Sequence, residues 1–383
     1  MRKLAALSLV LALCLPLRAL AAAPNENKPQ ARPNRPRIEL VFAIDTTSSM
    51  GGLIQAAKTK VWSIVNQIST GKPTPEVRMG LVAYRDRGDQ YVTQVSDLTN
   101  DLDAMYSKLM AFQAVGGGDG PESVNQALAD AVNRISWSEG ASAMKIIFVV
   151  GDWPGHMDYQ DDQKFPVTTQ QAVRKNITIH TIRCGNNAEA ETQFKEIAAK
   201  AEGRYFSIEQ SGGAVAVVTP FDGDIAKLDG ELRNSTLAYG GRAVREESKK
   251  KMAEVEATMA AAPAEAKAER ASYASRAAKA APSAVYGSAD LLSAVEGGAV
   301  KLDKVAEEEL PDEMKKMSAA ERQAFLDKKI ADRKAKQAQL DELNKKRAGF
   351  ITEQVKKGGA ADSFDAKVLD AVKEKSAKVG LTY

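Results

Sequence analysis

Cysteine and histidine are scarce in this sequence. Its only cysteines are Cys14 and Cys184, and it holds two histidines among 383 residues. A chain without a disulfide framework must be stabilised by a large apolar core, and we expect Cys184 to be a buried apolar side chain, not a reactive thiol. Two histidines leave little material for acid–base catalysis or for a histidine-based zinc site.

Neither sign of charge dominates. Lys and Arg number 53 against 50 Asp and Glu, which gives a formal net charge of +3. Three of the basic residues, Arg2, Lys3 and Arg18, lie in the first 23 residues, and without them the balance is 50 against 50. A nearly neutral chain argues against broad electrostatic binding to nucleic acid, so we expect no nucleic-acid partner.

The one long apolar run, residues 4–17, follows Arg2 and Lys3 near the N-terminus. Small residues follow it, which predicts a signal peptide over residues 1–22, cleavage after Ala21 or Ala22, and bacterial export to the periplasm or the medium. The run is too short to span a bilayer comfortably, so we expect no transmembrane span in the mature chain. The Pro-rich residues 23–37 predict an extended linker.

Short apolar runs alternate with amphipathic segments over residues 38–212. This alternation predicts an α/β domain with a Rossmann-like, doubly wound and mainly parallel sheet. An edge strand is expected over residues 91–99, which alternate in polarity. Ligands of such sheets bind beyond the carboxyl ends of the strands. Two of the predicted strands, 38–45 and 143–152, end in Asp45 and Asp152.

The remaining sequence predicts helices: a terminal helix or connector over 213–240 and an Ala/Lys/Glu-rich helical region over 241–383. Residues 244–281 are expected to be helical, and a break follows at 282–298. Ser318 and Glu321 form a capping box that opens a long charged helix over 318–357. Polar residues occupy the seam between its apolar positions, which makes it a poor coiled coil by itself and favours a helical hairpin or a partner-dependent helix. They are Arg333, Gln337, Asn344 and Arg347. The 318–357 helix contains eleven Lys or Arg and six Asp or Glu. This excess of positive charge is consistent either with a solvated helix face or with contact with an anionic surface.

Three oxygen-bearing side chains, Asp45, Thr47 and Ser49, stand at alternate positions after the first predicted strand. A loop that turns there can aim all three at one hard cation, which prefers oxygen ligands. The alternative interpretation is that Ser48 and Ser49 only cap the following helix. The pattern D-x-[ST]-x-S resembles the metal-ion-dependent adhesion site of the von Willebrand factor type A family. With YRDRGD, GGGDGPE and GDWPGHMDY, it resembles a bacterial exported subgroup over about residues 37–212.

The resemblance implies a divalent cation, Mg²⁺ or else Mn²⁺ or Ca²⁺, held by Asp45, Thr47, Ser49 and Asp152. The family's threonine in the Gly-rich loop, here residues 116–128, has no counterpart. Either Asp119 or Glu122 takes its position, or Asp119 only forms a turn and Glu122 only marks the start of a helix. A carboxylate there would raise cation affinity and make the ion less electrophilic toward a ligand carboxylate.

Five further residues are expected to line the site or to brace its loops: Tyr84, Arg85, Asp86, His156 and Asp158. The function that follows is binding of a protein partner, through an acidic side chain of that partner, and not catalysis. One alternative is a metal-dependent hydrolase in which His156 assists the activation of water. Another is a structural assembly protein with a vestigial metal site.

Overall fold

The structure, a computed structural model, describes residues 35–118, 120–140, 143–210, 217–358 and 364–383. The predicted signal peptide and most of the predicted linker lie outside these residues, as does Asp119. Residues Arg35–Tyr383 form one compact unit by their internal contacts. Among the described residues, no helix is both long and apolar enough to cross a membrane.

A six-stranded sheet forms the centre of this unit. Its strands are β1 (Arg37–Asp45), β2 (Glu76–Tyr84), β3 (Thr93–Thr99), β4 (Ala143–Gly151), β5 (Ile177–Cys184) and β6 (Tyr205–Ile208). Their spatial order is β3-β2-β1-β4-β5-β6. Only β3, at the edge, pairs antiparallel to its neighbour, and the other pairs are parallel. The predicted doubly wound sheet and its edge strand are therefore confirmed.

Helices cover both faces of the sheet, as the continuous apolar strands require. On one face lie α1 (Gly51–Ile68) and α2 (Leu102–Met110), which pack on Ile38, Leu40 and Phe42 of β1. The other face carries α3 (Val124–Asn133), α4 (Phe165–Arg174) and α5 (Ala188–Lys200), which pack on alternate residues of the same strands. Cys184 is fully buried and free, as predicted.

The C-terminal part is helical, as predicted. Its helices are α6 (Asp222–Arg233), α7 (Arg242–Ala261), α8 (Ala264–Ala280), α9 (Ser283–Tyr286), α10 (Leu291–Glu296), α11 (Ala319–Gly358) and α12 (Phe364–Ser376). The helical structure expected over 244–281 is present and is divided between α7 and α8, because Pro263 cannot continue a helix. The predicted break over 282–298 instead holds the two short helices α9 and α10.

The long helix α11 packs against α6, α8 and α10 of its own chain. Its predicted capping box is present, since Ser318 N donates to Glu321 Oε2 at 2.8 Å and Glu321 N donates to Ser318 Oγ at 3.4 Å. Every polar residue of the predicted seam has an intramolecular partner. The pairs are Arg333 with Asp290, Gln337 with Ser275, Asn344 with Ser272, and Arg347 with Asp222 and Glu269. The seam therefore specifies docking within the chain.

The last helix, α12, lies on the sheet although it is distant in sequence. Val368, Leu369 and Val372 belong to the same apolar core as α1 and one face of β1 and β4. The chain end is also attached, because Lys72 and Thr382 form an antiparallel bridge and the Tyr383 hydroxyl donates to Ile68 O at 3.0 Å. Residues far beyond the predicted α/β segment thus complete its core.

Candidate metal site at the carboxyl edge of the sheet

Two aspartates meet where the central strands end. The register that pairs Ile44 with Val150 places Asp45, the last residue of β1, beside the end of β4, which Asp152 follows directly. Asp45 is fully buried and Asp152 is 6% exposed. Both carboxylates lie at the point where the strand order reverses, which is where ligands bind to sheets of this topology.

The loop after β1 folds back on Asp45. Its Oδ1 accepts hydrogen bonds from Thr47 N at 2.8 Å and from Thr47 Oγ1 at 2.7 Å, and Thr47 Oγ1 lies 3.3 Å from Ser49 Oγ. The three residues of the motif are therefore brought together. Ser48 Oγ donates to Gly116 O at 2.7 Å, and no side chain caps the described start of α1. The interpretation of Ser48 and Ser49 as helix caps is wrong.

Glu122, from the Gly-rich loop, joins this cluster. Its side chain is 2% exposed, and its backbone is tied to the loop after β4, since Glu122 N donates to Pro154 O and His156 N donates to Glu122 O. Gly117, at a φ of +80°, separates the Glu122 carboxylate from Thr47. A Cβ at Gly117 would lie 3.5 Å from Glu122 Oε1 and 3.1 Å from the Thr47 Cβ. Of the two candidates for the missing threonine, Glu122 is the one that the structure describes, and it faces the site.

Each of the three carboxylates has one buried oxygen that no hydrogen-bond donor of the described chain reaches. These atoms are Asp45 Oδ2, Glu122 Oε2 and Asp152 Oδ1. Burial, with Asp152 nearby, raises the pKa of Asp45 to about 7 even though Thr47 opposes the shift. Burial and the charges of Asp45, Asp86 and Asp152 raise the pKa of Glu122 to about 9. Buried like charges of this kind require protons or a cation.

The cluster differs from a site built of acidic or imidazole ligands alone. Within the described residues, no three His, Cys, Asp or Glu side chains form a group that would hold a metal by themselves. A cation here would need the hydroxyls of Thr47 and Ser49 beside the carboxylates. Oxygen ligands of this mixed kind fit Mg²⁺, Mn²⁺ or Ca²⁺ and do not fit zinc, which prefers His and Cys.

Sequence reasoning missed Gln210, which follows β6. Its Nε2 donates to Asp152 Oδ2 at 2.8 Å and to Ser49 O at 3.1 Å, so it links the two loops that carry the aspartates. It also missed Asp89, whose carboxylate accepts from Gly117 N at 3.1 Å and orients the Gly-rich loop. Nothing in the local pattern around Gln210 signals a site; only its place after a strand does.

Tyr84 and Arg85 hydrogen-bond to the backbone of the strand end and loops that form the site. The Tyr84 hydroxyl is buried and donates to Val150 O at 3.1 Å, close to Gly151. Arg85 Nε donates to Thr46 O at 3.2 Å and its Nη2 donates to Gln113 O at 3.0 Å. Arg85 is thus bound to backbone carbonyls of two site loops and braces them.

Asp86, His156 and Asp158 belong to a neighbouring network. Asp86 accepts from Ser123 Oγ at 2.9 Å and from the Tyr159 hydroxyl at 2.8 Å. His156 Nδ1 lies 2.8 Å from Asp158 Oδ1 and its Nε2 lies 3.4 Å from Asp86 Oδ2. The histidine ring also stacks on Tyr159, with 4.0 Å between the ring centroids. This network fixes the loop after β4 against β2 and adds negative charge beside Glu122.

The comparisons with known proteins agree with this geometry. A family model described as von Willebrand factor A domain matches residues 39–220. Residues 39–220 form a von Willebrand factor A domain. Curated relatives include von Willebrand factor A domain-containing protein 7 from Rattus norvegicus, 41% identical over 93 residues, and from Homo sapiens, 39% identical over 93 residues. In each case the match covers 24% of this chain, and the chain spans about a tenth (10%) of the relative.

Solved structures resemble a little under half of the chain. One is the SpRpn10 VWA domain, with 19% identity and a TM-score of 0.35, covering 46% of this chain and 89% of that one. Another is proximal thread matrix protein 1 from the mussel byssus, with 12% identity and a TM-score of 0.35, covering 47% of this chain and 44% of that one.

Proposed function

We propose that this protein binds a divalent cation with Asp45, Thr47, Ser49, Glu122 and Asp152 and uses the loaded site to bind a protein partner outside the cytoplasm. Mg²⁺ is the first candidate, followed by Mn²⁺ and Ca²⁺. The proposal includes export, which rests on the signal-peptide pattern over residues 1–22. Von Willebrand factor A domains typically mediate protein interactions, in agreement with the second half of the proposal.

The proposal of a bound cation rests on buried carboxyl oxygens that no hydrogen-bond donor of the described chain reaches. Asp45, Glu122 and Asp152 each have one such oxygen among the described residues, and the Thr47 hydroxyl donates to the other oxygen of Asp45. Leaving a buried carboxylate unpaired is costly, and a divalent ion bound with the help of the Thr47 and Ser49 hydroxyls would offset this cost. When bound, the ion supplies positive charge and a place for a further oxygen ligand. Hydrogen bonds of Gln210, Arg85 and the Glu122 backbone hold the loops that carry these ligands in place.

The surroundings of the site support a protein partner. Three large apolar side chains are solvent-exposed on the loops around it: Val115, Trp153 and Met157, at 51%, 38% and 47%. Exposed apolar side chains beside polar groups are typical of interaction surfaces. We therefore place partner binding on the loops 115–118 and 153–158, with the cation at their centre.

The anionic surface considered for the 318–357 helix receives less support. Arg333 and Arg347 are buried in ion pairs with Asp290 and Asp222, and Lys334 and Lys336 pair with acidic residues of α10 and α6. Much of the positive charge counted in the sequence is thus balanced within the chain. His156 belongs to the neighbouring network, with its ring nitrogens beside Asp158 and Asp86, and a hydrolytic role for it is not part of this proposal.

Calorimetric titration with Mg²⁺ and Mn²⁺ tests the cation site. The wild-type protein is expected to bind one ion, and Asp45→Asn and Asp152→Asn are each expected to weaken binding at least tenfold. Asp303→Asn, on a side chain that is 71% exposed and distant in sequence, is the matched control. Absence of saturable binding by the wild type at millimolar ion would overturn the proposal.

A second experiment tests the use of the site. The immobilised protein is presented with exported proteins of its source in Mg²⁺ and in a chelator, beside Asp45→Asn and Asp303→Asn. A partner retained by the wild type and by Asp303→Asn, and lost in the chelator and with Asp45→Asn, is the expected result. A partner that Asp45→Asn still retains would place the interaction elsewhere.

A further inference from the structure

The charge of the site sets which chemical group can complete it. Asp45, Glu122 and Asp152 carry three negative charges when ionised, and a divalent cation offsets two of them. Glu122 occupies the position where a neutral hydroxyl would leave the loaded site uncharged. We propose that Glu122 is an internal carboxylate that takes the place of an acidic group from a partner, so that the loaded site accepts only neutral oxygen donors such as hydroxyls, backbone carbonyls or water. This inference rests on the proposed cation site.

The position of Glu122 is fixed by its backbone. Its N–H donates to Pro154 O at 2.9 Å and its carbonyl accepts from His156 N at 3.1 Å, which gives a short parallel bridge between Glu122 and Gly155. The side chain is 2% exposed and has one oxygen that no donor of the described chain reaches. The backbone thus keeps the Glu122 carboxylate at the buried edge of the site, where it would compete with a second carboxylate for the cation.

Among the described neighbours of Glu122, two carboxylates add negative charge and both arginines already have partners. Asp86 and Asp89 both contribute to the field at Glu122. Arg85 is bound to backbone carbonyls, and Arg87 pairs with Asp161 and Asp162 at 2.8 and 2.7 Å while stacking over Tyr159. Neither arginine is available to receive an incoming carboxylate. Introducing one would therefore cost unfavourable like-charge interaction in a partly buried site.

The adjoining groove has the same sign of charge. It has a volume of about 600 Å³ and lies between the loop after β4 and the start of α5. Its lining includes Asp158, Glu189 and Glu196 and, as the structure describes it, neither Lys nor Arg. An acidic segment that approached the cation would pass this rim, whereas a neutral or basic segment would be attracted to it.

The test measures the Mn²⁺ affinity of the wild-type protein, Glu122→Gln and Glu196→Gln by calorimetric titration. Each protein is titrated in about 50 mM sodium acetate and in sodium chloride of equal ionic strength. Glu196 lies on the groove rim with a side chain 50% exposed, so its variant matches the change in charge. Glu122→Gln is expected to weaken Mn²⁺ binding at least tenfold in chloride, and Glu196→Gln less than twofold. Acetate is expected to leave wild-type affinity unchanged and to tighten binding to Glu122→Gln.

Each contrary result is informative. Acetate that tightens Mn²⁺ binding to the wild type, or fails to tighten it in Glu122→Gln, would overturn the inference. Equal affinities of Glu122→Gln and Glu196→Gln in chloride would also overturn it, and the cation site itself would stand. A wild-type protein that binds no Mn²⁺ would instead overturn the proposed function. Circular dichroism of each variant checks that the fold is retained.

Discussion

The side-chain amide of Gln210 donates a 2.8 Å hydrogen bond to Asp152 Oδ2 and a 3.1 Å bond to the carbonyl of Ser49. One glutamine after β6 thereby orients the aspartate after β4 and the loop after β1. Partners that orient ligands commonly contribute to metal affinity even though they do not touch the ion.

The first prediction concerns this link. Gln210→Ala is expected to weaken Mg²⁺ or Mn²⁺ binding by about tenfold, because Asp152 loses the donor that fixes its second oxygen. Thermal stability should change little, since the loss is local. Calorimetry beside Gln339→Ala, an exposed glutamine on α11, measures the effect. Equal affinities for the two variants would show that Gln210 does not position the site.

The second prediction is a pH dependence of stability in a chelator. Folding raises the pKa of Asp45 to about 7 and that of Glu122 to about 9, both chiefly by burial. The folded state then binds protons more tightly than the unfolded state. The stability from this source is complete below a pH of about 4 and is lost as the pH rises through 7 and 9. The melting temperature in a chelator is therefore expected to fall between pH 6 and pH 9.

A cation should reverse this trend, because it replaces the protons. Mn²⁺ is expected to raise the melting temperature more at pH 8.5 than at pH 6, and the double variant Asp45→Asn with Glu122→Gln should lose both effects. Thermal unfolding monitored by circular dichroism measures them. A melting temperature that stays constant from pH 6 to pH 9 in the chelator would contradict the prediction.

Local pattern in the sequence was sufficient for the sheet and for the core of the site. Apolar runs such as the one that ends at Asp45 predict strands, and parallel strands place their carboxyl ends at one edge, so Asp45 and Asp152 had to be close. The choice between Asp119 and Glu122 needed the fold, because it depends on which side chain turns toward Thr47. The contribution of Gln210 depends on a long side chain that reaches across neighbouring strands.

The sequence pattern also did not specify which distant elements α11 and α12 pack against. The polar seam of α11 indicated that Arg333 and Arg347 needed partners, but acidic residues are common in this chain and nothing local selects Asp290 or Asp222. The same holds for α12. Val368 and Val372 share a helical face, yet that spacing does not show which surface they cover. Only tertiary contacts decide such pairings.

The third prediction concerns Arg270 of α8, which is 2% exposed and joins two helices. It donates to Asp103 of α2 at 2.6 Å and to Asp229 of α6 at 2.7 Å, and these partners hold its pKa above the usual range. Arg270→Met leaves Asp103 without its buried cation and leaves Asp229 with Arg233 alone, so it is expected to lower the free energy of unfolding by roughly 3–5 kcal/mol. Urea denaturation measures the loss.

Two comparisons separate charge from packing at Arg270. Lys250→Met, on a side chain that is 79% exposed, should change stability by less than about 0.5 kcal/mol. Adding Asp103→Asn to Arg270→Met should restore part of the loss, because the unpaired carboxylate is removed. A variant Arg270→Met as stable as Lys250→Met would show that the buried cluster contributes nothing.

The fourth prediction tests whether α12 is part of the domain core. Val372 is fully buried against the core that includes α1 and β4, whereas its neighbour Lys373 is exposed. Val372→Ala removes two buried carbon atoms and is expected to lower the free energy of unfolding by roughly 1–3 kcal/mol. Lys373→Ala is the matched control and should stay within about 0.5 kcal/mol of the wild type. If α12 were detached from the sheet, the two variants would unfold at the same urea concentration. Because α12 lies more than 140 residues beyond the matched family segment, unequal midpoints would mean that the von Willebrand factor A domain requires the end of the chain for its stability.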